Sequence, residues 1–216
     1  DPANSTFSKF EALNVLYVDI LKDENSQARA IDQSKFDRII ESISFTDGTH
    51  FVIDTGTSNY LEMYGYMRNY DVTSIITNDI GKPVVIHVPM VGGAAMDDCL
   101  NELKNIAKLE NVKIVIWDMP HLGKLVLNAN SKEVNYKETK SFKEIDNISG
   151  VVNMPVLSEV QTKDFKLCLD NNILLSEGIL NTDLMLMQKT RIKKIRDVIF
   201  SELDNVFISE NVETTV

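Results

Sequence analysis

What most constrains this chain is an alternation that runs through it. Short β-branched or apolar runs end in Asp, Pro or Leu, and most are separated from the next by a helical pattern. The runs occupy 15–21, 50–54, 83–89, 112–118 and 151–155. Between them Phe36, Ile39, Ile40 and Ile43 recur at helical spacing behind a capping Asp32, as do Tyr60, Leu61, Tyr64 and Met67, and then Met96, Leu100, Leu103, Ile106 and Ala107. A shorter helix is expected over 72–80, stopped by Gly81, and Ser158 is expected to cap a helix bearing Val160, Phe165, Leu167 and Leu169. The longest helix is expected over 183–206, with Ile192, Ile195, Ile199, Leu203 and Val206 along one side. Strand and helix in this order predict an α/β fold with a doubly wound, mostly parallel sheet. The ligand site of such a sheet lies beyond the carboxyl ends of its strands, so the turns after Asp54, after Pro89, after Asp118 and around Pro155 are expected to converge. From 124 to 147 the pattern lapses into Lys/Glu-rich polar sequence, expected to be an exposed loop or small excursion.

The run at 50–54 is the one best suited to chemistry. It ends at Asp54, and the turn Thr55-Gly56-Thr57-Ser58-Asn59 leads into a helix. An acidic side chain at that place can hold a metal or its water, and a glycine two residues later lets a backbone N–H approach a phosphate. The competing reading is a buried strand that merely ends in a polar turn. The histidines argue against zinc, since His50 and His87 fall on strand patterns and His121 in a loop. Cys99 and Cys168 sit far apart in amphipathic helical patterns and are expected to be reduced core thiols.

The 216 residues, 44% of them hydrophobic, suit one domain over 1–210 with a frayed tail at 211–216. No apolar run approaches the roughly 18 to 20 residues that span a bilayer, and no leader pattern opens the sequence, so a cytoplasmic protein is expected. A net charge of −10 disfavours nucleic acid as a general partner, leaving DNA to a local basic patch. The one basic row is Lys189, Arg191, Lys193, Lys194 and Arg196, which reads as a solvated helix face or a dock for an acidic protein.

The opening Asp1-Pro2-Ala3-Asn4-Ser5-Thr6-Phe7, followed by Ile53-Asp54-Thr55-Gly56-Thr57-Ser58, resembles the deviant Walker A ATPases, the P-loop NTPase (SIMIBI) group that contains ParA and MinD. Within it the sequence is most similar to the TraL-like branch of plasmid conjugation and stabilisation proteins, through Phe10-Glu11-Ala12-Leu13-Asn14-Val15, Gly92-Gly93, Val115-Ile116-Trp117, Met154-Pro155 and Arg191-Ile192-Lys193. One departure stands out. The group's Gly-rich phosphate loop is absent: Gly81-Lys82 and Gly123-Lys124 are followed by Pro and Leu, with no glycines at the required spacing. The resemblance therefore implies a sequence lacking its first βαβ segment, and a fragment that does not itself hydrolyse ATP.

The resemblance also implies roles for particular residues. Asp1 would orient the attacking water, Asp54 would hold a water on Mg2+, and the Gly56 N–H would sense the terminal phosphate. Asp118 and Pro155 would border the adenine of ATP. An ATP-dependent homodimer and a protein partner in a transfer or plasmid-maintenance system follow in the same way. The alternative is a non-catalytic binding module that keeps the fold and docks through the basic helix. A Rossmann-type enzyme fits less well, because no Gly-x-Gly-x-x-Gly follows any strand pattern.

Overall fold

The computed structural model describes residues 6–21, 31–46, 50–56, 59–129 and 132–212, with 129 and 208–212 described by backbone alone. Its contacts group into two compact units, Asp1–Val84 with Leu109–Asn111, and Val85–Lys108 with Val112–Val216.

The first unit is helical. Asp32 accepts a hydrogen bond from the Ser34 N–H and starts a 3-10 turn, Gln33–Phe36, which runs into α1, Asp37–Phe45. Helix α2 spans Tyr60–Asn69 and is followed by the short α3, Val72–Ser74, and a π-helical turn, Ile75–Asp79. The chain then reverses at Gly81, whose φ of 77° is the left-handed conformation that glycine adopts without strain. Ile20, Phe36, Ile43, Met63, Tyr66, Val72 and Ile76 form the core of this unit. The Asn111 amide donates to Ser74 Oγ at 3.0 Å, which ties the 109–111 turn to it.

Among the described residues two expected strands do not form here. Residues 14–20 and 50–56 are irregular, and the one ladder contact near them among the described residues is an isolated antiparallel bridge between Leu21 and Ile31. The β-branched composition of 15–21 and 50–54 states only that these residues suit a pleated surface. A strand also needs a neighbour along its length; among the described residues 15–21 meets one only at its end, where Leu21 bridges Ile31 and the Ile20 carbonyl accepts from the Asp32 N–H at 2.8 Å, and 50–54 shows no backbone bond to another segment.

The second unit carries the sheet. It runs β1, Val84–Val91, whose first residue falls in the other unit; α4, Met96–Ile106; β2, Val112–Met119; the hairpin β3, Val126–Ala129, and β4, Lys132–Asn135; α5, Lys140–Lys143; β5, Ile148–Asn153; α6, Glu159–Asp170; α7, Leu175–Leu180; and α8, Leu186–Val212. The strands β1, β2 and β5 form a parallel three-stranded sheet in that order, with Ile116 opposite Val151 and Asp118 opposite Asn153. The architecture is thus α/β with a parallel sheet.

Both faces of β2 are covered. Val115 packs with Val152 and Val206, with Trp117 and Leu203 against them, so α8 lies on one face. By the alternation of a strand, Ile116 and Asp118 fall on the other, where both are buried. Helix α6 begins with a full capping box: Ser158 Oγ accepts from the Gln161 N–H, and Gln161 Oε1 accepts from the Ser158 N–H at 3.0 Å. Cys168 is buried and reduced, and Cys99 is half-buried and reduced. The stretch expected to be an exposed loop or small excursion, 124–147, is an excursion made of the hairpin, a 3-10 turn and α5. Its strands are four residues each, too short for hydrophobic periodicity to register.

Candidate functional site

Each unit carries part of the chemistry that the sequence singles out. In the first, Asp54 is exposed and Gly56 is buried at the turn into α2. The Gly56 carbonyl accepts from the Asn59 N–H at 2.9 Å and from the Tyr60 N–H at 3.1 Å, so the turn is already the first bonded step of the helix. Helix α2 is fixed in turn by Tyr66, whose hydroxyl donates to Asp37 Oδ1 of α1 at 2.5 Å, and by Glu62, which accepts from the Gln33 amide at 2.8 Å. Burial, then the Asp37 carboxylate, pushes the Tyr66 phenol well above its ordinary value, so it stays a donor. The run 50–55 and the segment 13–18 line an apolar cleft of about 490 Å³ in this unit, with Ile39 and Ile43 of α1 in its wall. Asp1, Thr57 and Ser58 lie outside the described residues.

In the second unit the carboxyl ends of the three parallel strands share one edge. Gly92 follows β1 and Gly123 follows the 3-10 turn after β2, and their backbones nearly touch. A Cβ on Gly92 would lie 2.2 Å from the Lys124 carbonyl oxygen and 2.4 Å from the Gly123 carbonyl carbon, so no larger residue fits. The end of β5 is tied to β2 by the Met154 N–H, which donates to the Asp118 carbonyl at 3.0 Å. Asp118 and Pro155 are therefore neighbours at the ends of adjacent strands.

The Asp118 side chain is engaged from within the protein. It is 7% exposed, accepts the Tyr136 hydroxyl at 2.5 Å and pairs with Lys137 Nζ at 2.6 Å. Tyr136 is fully buried, and its phenol is pushed far above the ordinary value by burial and by the carboxylate beside it. Next to Asp118, Asn153 gives its N–H and its side-chain amide, each at 2.9 Å, to Glu202 of α8. These two donors hold the Glu202 carboxyl below its ordinary range.

Sequence reasoning passed over Tyr136, Lys137, Asn153 and Glu202. Tyr136 is a lone aromatic in polar sequence, a weak signal. Glu202 lies on a helix read for its apolar side and its basic row. The basic row also changes. Arg191 is bound by the buried Asp164, and Arg196 pairs with Asp197 at 2.6 Å, leaving Lys193 and Lys194 as its exposed cations. Among the described residues there is no group of three or more His, Cys, Asp or Glu that could hold a metal. None of the described helices is long and apolar enough to cross a membrane.

The fold is thus α/β with a parallel sheet, and within the second unit the turns at Gly92, Gly123 and Asp118 gather at the strand carboxyl ends, while the Asp54 turn belongs to the first unit. Over nearly its whole length the chain is similar to proteins named TraL from Escherichia coli. One is 24% identical over 212 residues, covering 96% of this chain and 83% of that protein; a second is 26% identical over 209 residues, covering 94% and 82%. No family model matches the chain, and no solved structure does.

Proposed function

We propose that the chain is the larger part of an ATP-binding switch that acts in plasmid conjugative transfer or stability. The placement in conjugation rests on the similarity to TraL along nearly the full chain. The observation that carries the switch reading is the Asp54-Thr55-Gly56 turn opening α2. An exposed carboxylate stands there two residues before a buried glycine whose carbonyl already starts the helix.

The residues present fit magnesium-ATP in part. Asp54 is open to solvent, so its carboxylate would hold a water on the metal, and the Gly56 N–H at a helix start suits a phosphate oxygen. The glycine-rich lysine loop that would cradle the phosphates is not in the 216 residues. Bound magnesium-ATP would supply the phosphoryl group and a charge that orders the turn after Asp54. Asp1 would orient water beside it. With the Asp118 carboxylate held by Tyr136 and Lys137, the adenine edge would be bordered by backbone at 118 and by Pro155. Pairing of two subunits around nucleotide belongs to the same proposal.

Titration calorimetry with magnesium-ATP tests this, comparing the 216-residue chain with one extended to its natural start codon. Binding by the extended chain alone, with magnesium-dependent turnover lost in Asp54→Ala, is the expected outcome. Turnover untouched by that substitution refutes the site.

A second reading has its own observation. Lys193 and Lys194 are exposed on α8, while Leu186 and Met187 are 78% and 60% exposed at its start. A non-catalytic module would dock an acidic partner there. Absence of nucleotide binding in the extended chain turns attention to this face.

A further inference from the structure

The outer side of α8 carries a stripe unlike the side it buries. Leu186, Lys193, Phe200 and Phe207 recur every seven residues, so they share one side of the helix, with Asp197 and Asp204 beside them. Ile192, Ile195 and Val206 are buried on the other side. Within the stripe Leu186 is 78% exposed, Phe200 53% and Phe207 39%. Large apolar side chains lined up at this spacing on an open helix form a seam for a second helix.

Charge along the stripe narrows the partner. Cations come first, with Lys189 half-buried and Lys193 and Lys194 exposed; Asp197 and Asp204 follow, both exposed. A helix dipole favours the opposite order, anions toward the amino end and cations toward the carboxyl end, so this order does not serve the helix by itself. An anionic membrane or a uniformly acidic protein would be drawn to the first half and repelled by the second. The matching partner presents anions to the cations and cations to the anions. A second α8 laid antiparallel has that order.

We infer that α8 pairs antiparallel with α8 of a second copy of this chain, through the stripe from Leu186 to Phe207 and without nucleotide. One register matches the whole stripe. With a two-fold axis at the Arg196–Asp197 peptide, Leu186 of one copy meets Phe207 of the other, Lys189 meets Asp204, Lys193 meets Phe200, and Arg196 meets Asp197. The middle of the seam is already shaped within each chain: Arg196 pairs with its own Asp197 at 2.6 Å, and its guanidinium carbon lies 5.9 Å from the centre of the Phe200 ring. The stem of Lys193 from the second copy would cover the same ring. Apolar contact is thin, so the dimer belongs among small, transient interfaces, with a Kd of about 10–100 µM. This surface is separate from the Asp54 turn, and the inference holds whether or not the protein binds ATP.

Sedimentation equilibrium without nucleotide tests the pairing on the 216-residue chain and on the chain extended to the natural ends of its reading frame. Both are expected to dimerise. Lys189→Glu and Asp204→Lys are each expected to weaken the dimer about tenfold or more, because like charges then meet twice across the axis. Mixed in equal amounts, the two variants are expected to dimerise with each other to within about threefold of the parent affinity, because both contacts are again opposite in sign. The two positions stand about 22 Å apart along one helix, so recovery cannot arise within a chain, and it shows that both variants are folded. Monomers at every concentration overturn the inference and leave this face to an acidic partner. Unchanged affinity in the single variants overturns it, as does a mixture that fails to recover while both urea midpoints match the parent. Where a reversal lowers the midpoint, Phe200→Ser, at a position 53% exposed, takes its place, and an unchanged dimer there overturns the inference. A dimer of the 216-residue chain that the extended chain lacks does so too, since the rest of the polypeptide would then cover the stripe. A dimer that forms only with magnesium-ATP overturns the inference and keeps the switch, whereas a nucleotide-free dimer of an extended chain that binds no ATP does the reverse.

Discussion

The contact between β5 and α8 gives the sharpest quantitative test of the packing. A Cβ built on Gly150 would lie 2.9 Å from both γ-methyls of Val206 and 3.3 Å from its Cβ. Carbon pairs are most favourable at about 3.5–4.0 Å, so an alanine here needs roughly 0.6–1.1 Å more room. Val206 is 4% exposed and packs against Val115 and Val152, and a helical valine has essentially one rotamer, so the methyls cannot swing aside. Overpacking of this kind costs about 1–3 kcal/mol. The backbone at Gly150 is not left-handed, so alanine regains about 0.4–1 kcal/mol through the unfolded chain. Gly150→Ala is therefore expected to destabilise by about 1–2 kcal/mol net. Val206→Ala removes two buried methyls and should cost about 2 kcal/mol, counting the void left behind. In the double variant the methyls that clash are gone and the new alanine fills part of the void. Its loss should fall short of the sum by about 1–2 kcal/mol. Urea unfolding followed through Trp117, the sole tryptophan and a neighbour of this contact, measures all four corners of the cycle. Additivity within about 0.5 kcal/mol would refute the reasoning.

Two further expectations concern polar contacts of the same unit, one buried at Tyr136 and one at the exposed His87. Tyr136→Phe removes the hydroxyl that donates to Asp118 while Lys137 stays, so unfolding stability should drop by about 1.5–3 kcal/mol, the range for a hydrogen bond to a charged group. A loss under about 0.5 kcal/mol in urea would mean the contact is dispensable. His87 Nδ1 accepts the Trp117 indole N–H at 2.8 Å, its ring lies against those of Trp117 and Phe207, and burial pushes its pKa below 6.5. The folded chain thus disfavours the imidazolium, and the unfolded chain takes up the proton more readily. The stabilisation from this group is complete above pH 6.5 and is lost as pH falls from 6.5 through the folded-state value. Trp117 emission should change with a midpoint below pH 6.5, and His87→Gln, which keeps an acceptor but does not titrate, should flatten the curve. A midpoint at or above 6.5, or an unchanged curve in the variant, contradicts the assignment.

The parts of the fold that could be read from sequence and the parts that could not divide along a physical line. Helix α4 and the buried side of α8 were legible because period-3.6 patterning is a property of each segment by itself. So were the Asp32 and Ser158 caps, and the strands expected at 83–89, 112–118 and 151–155, which run over 84–91, 112–119 and, shifted toward the amino end, 148–153 and pair in one sheet. The run at 50–54 has the same composition as those strands but a different outcome, because a ladder is made by two segments and a propensity describes one. The polar engagement of Asp118 was hidden for a related reason. Its partners, Tyr136 and Lys137, lie 18 and 19 residues on in sequence without periodicity, and only the folded path of the β3–β4 hairpin and the turn after it brings them to the end of β2. Both cases concern long-range pairing, and they differ in whether the pair is present. Asp118 has found its partners and is buried. Val52 and Ile53 remain exposed although their sequence is that of a buried strand.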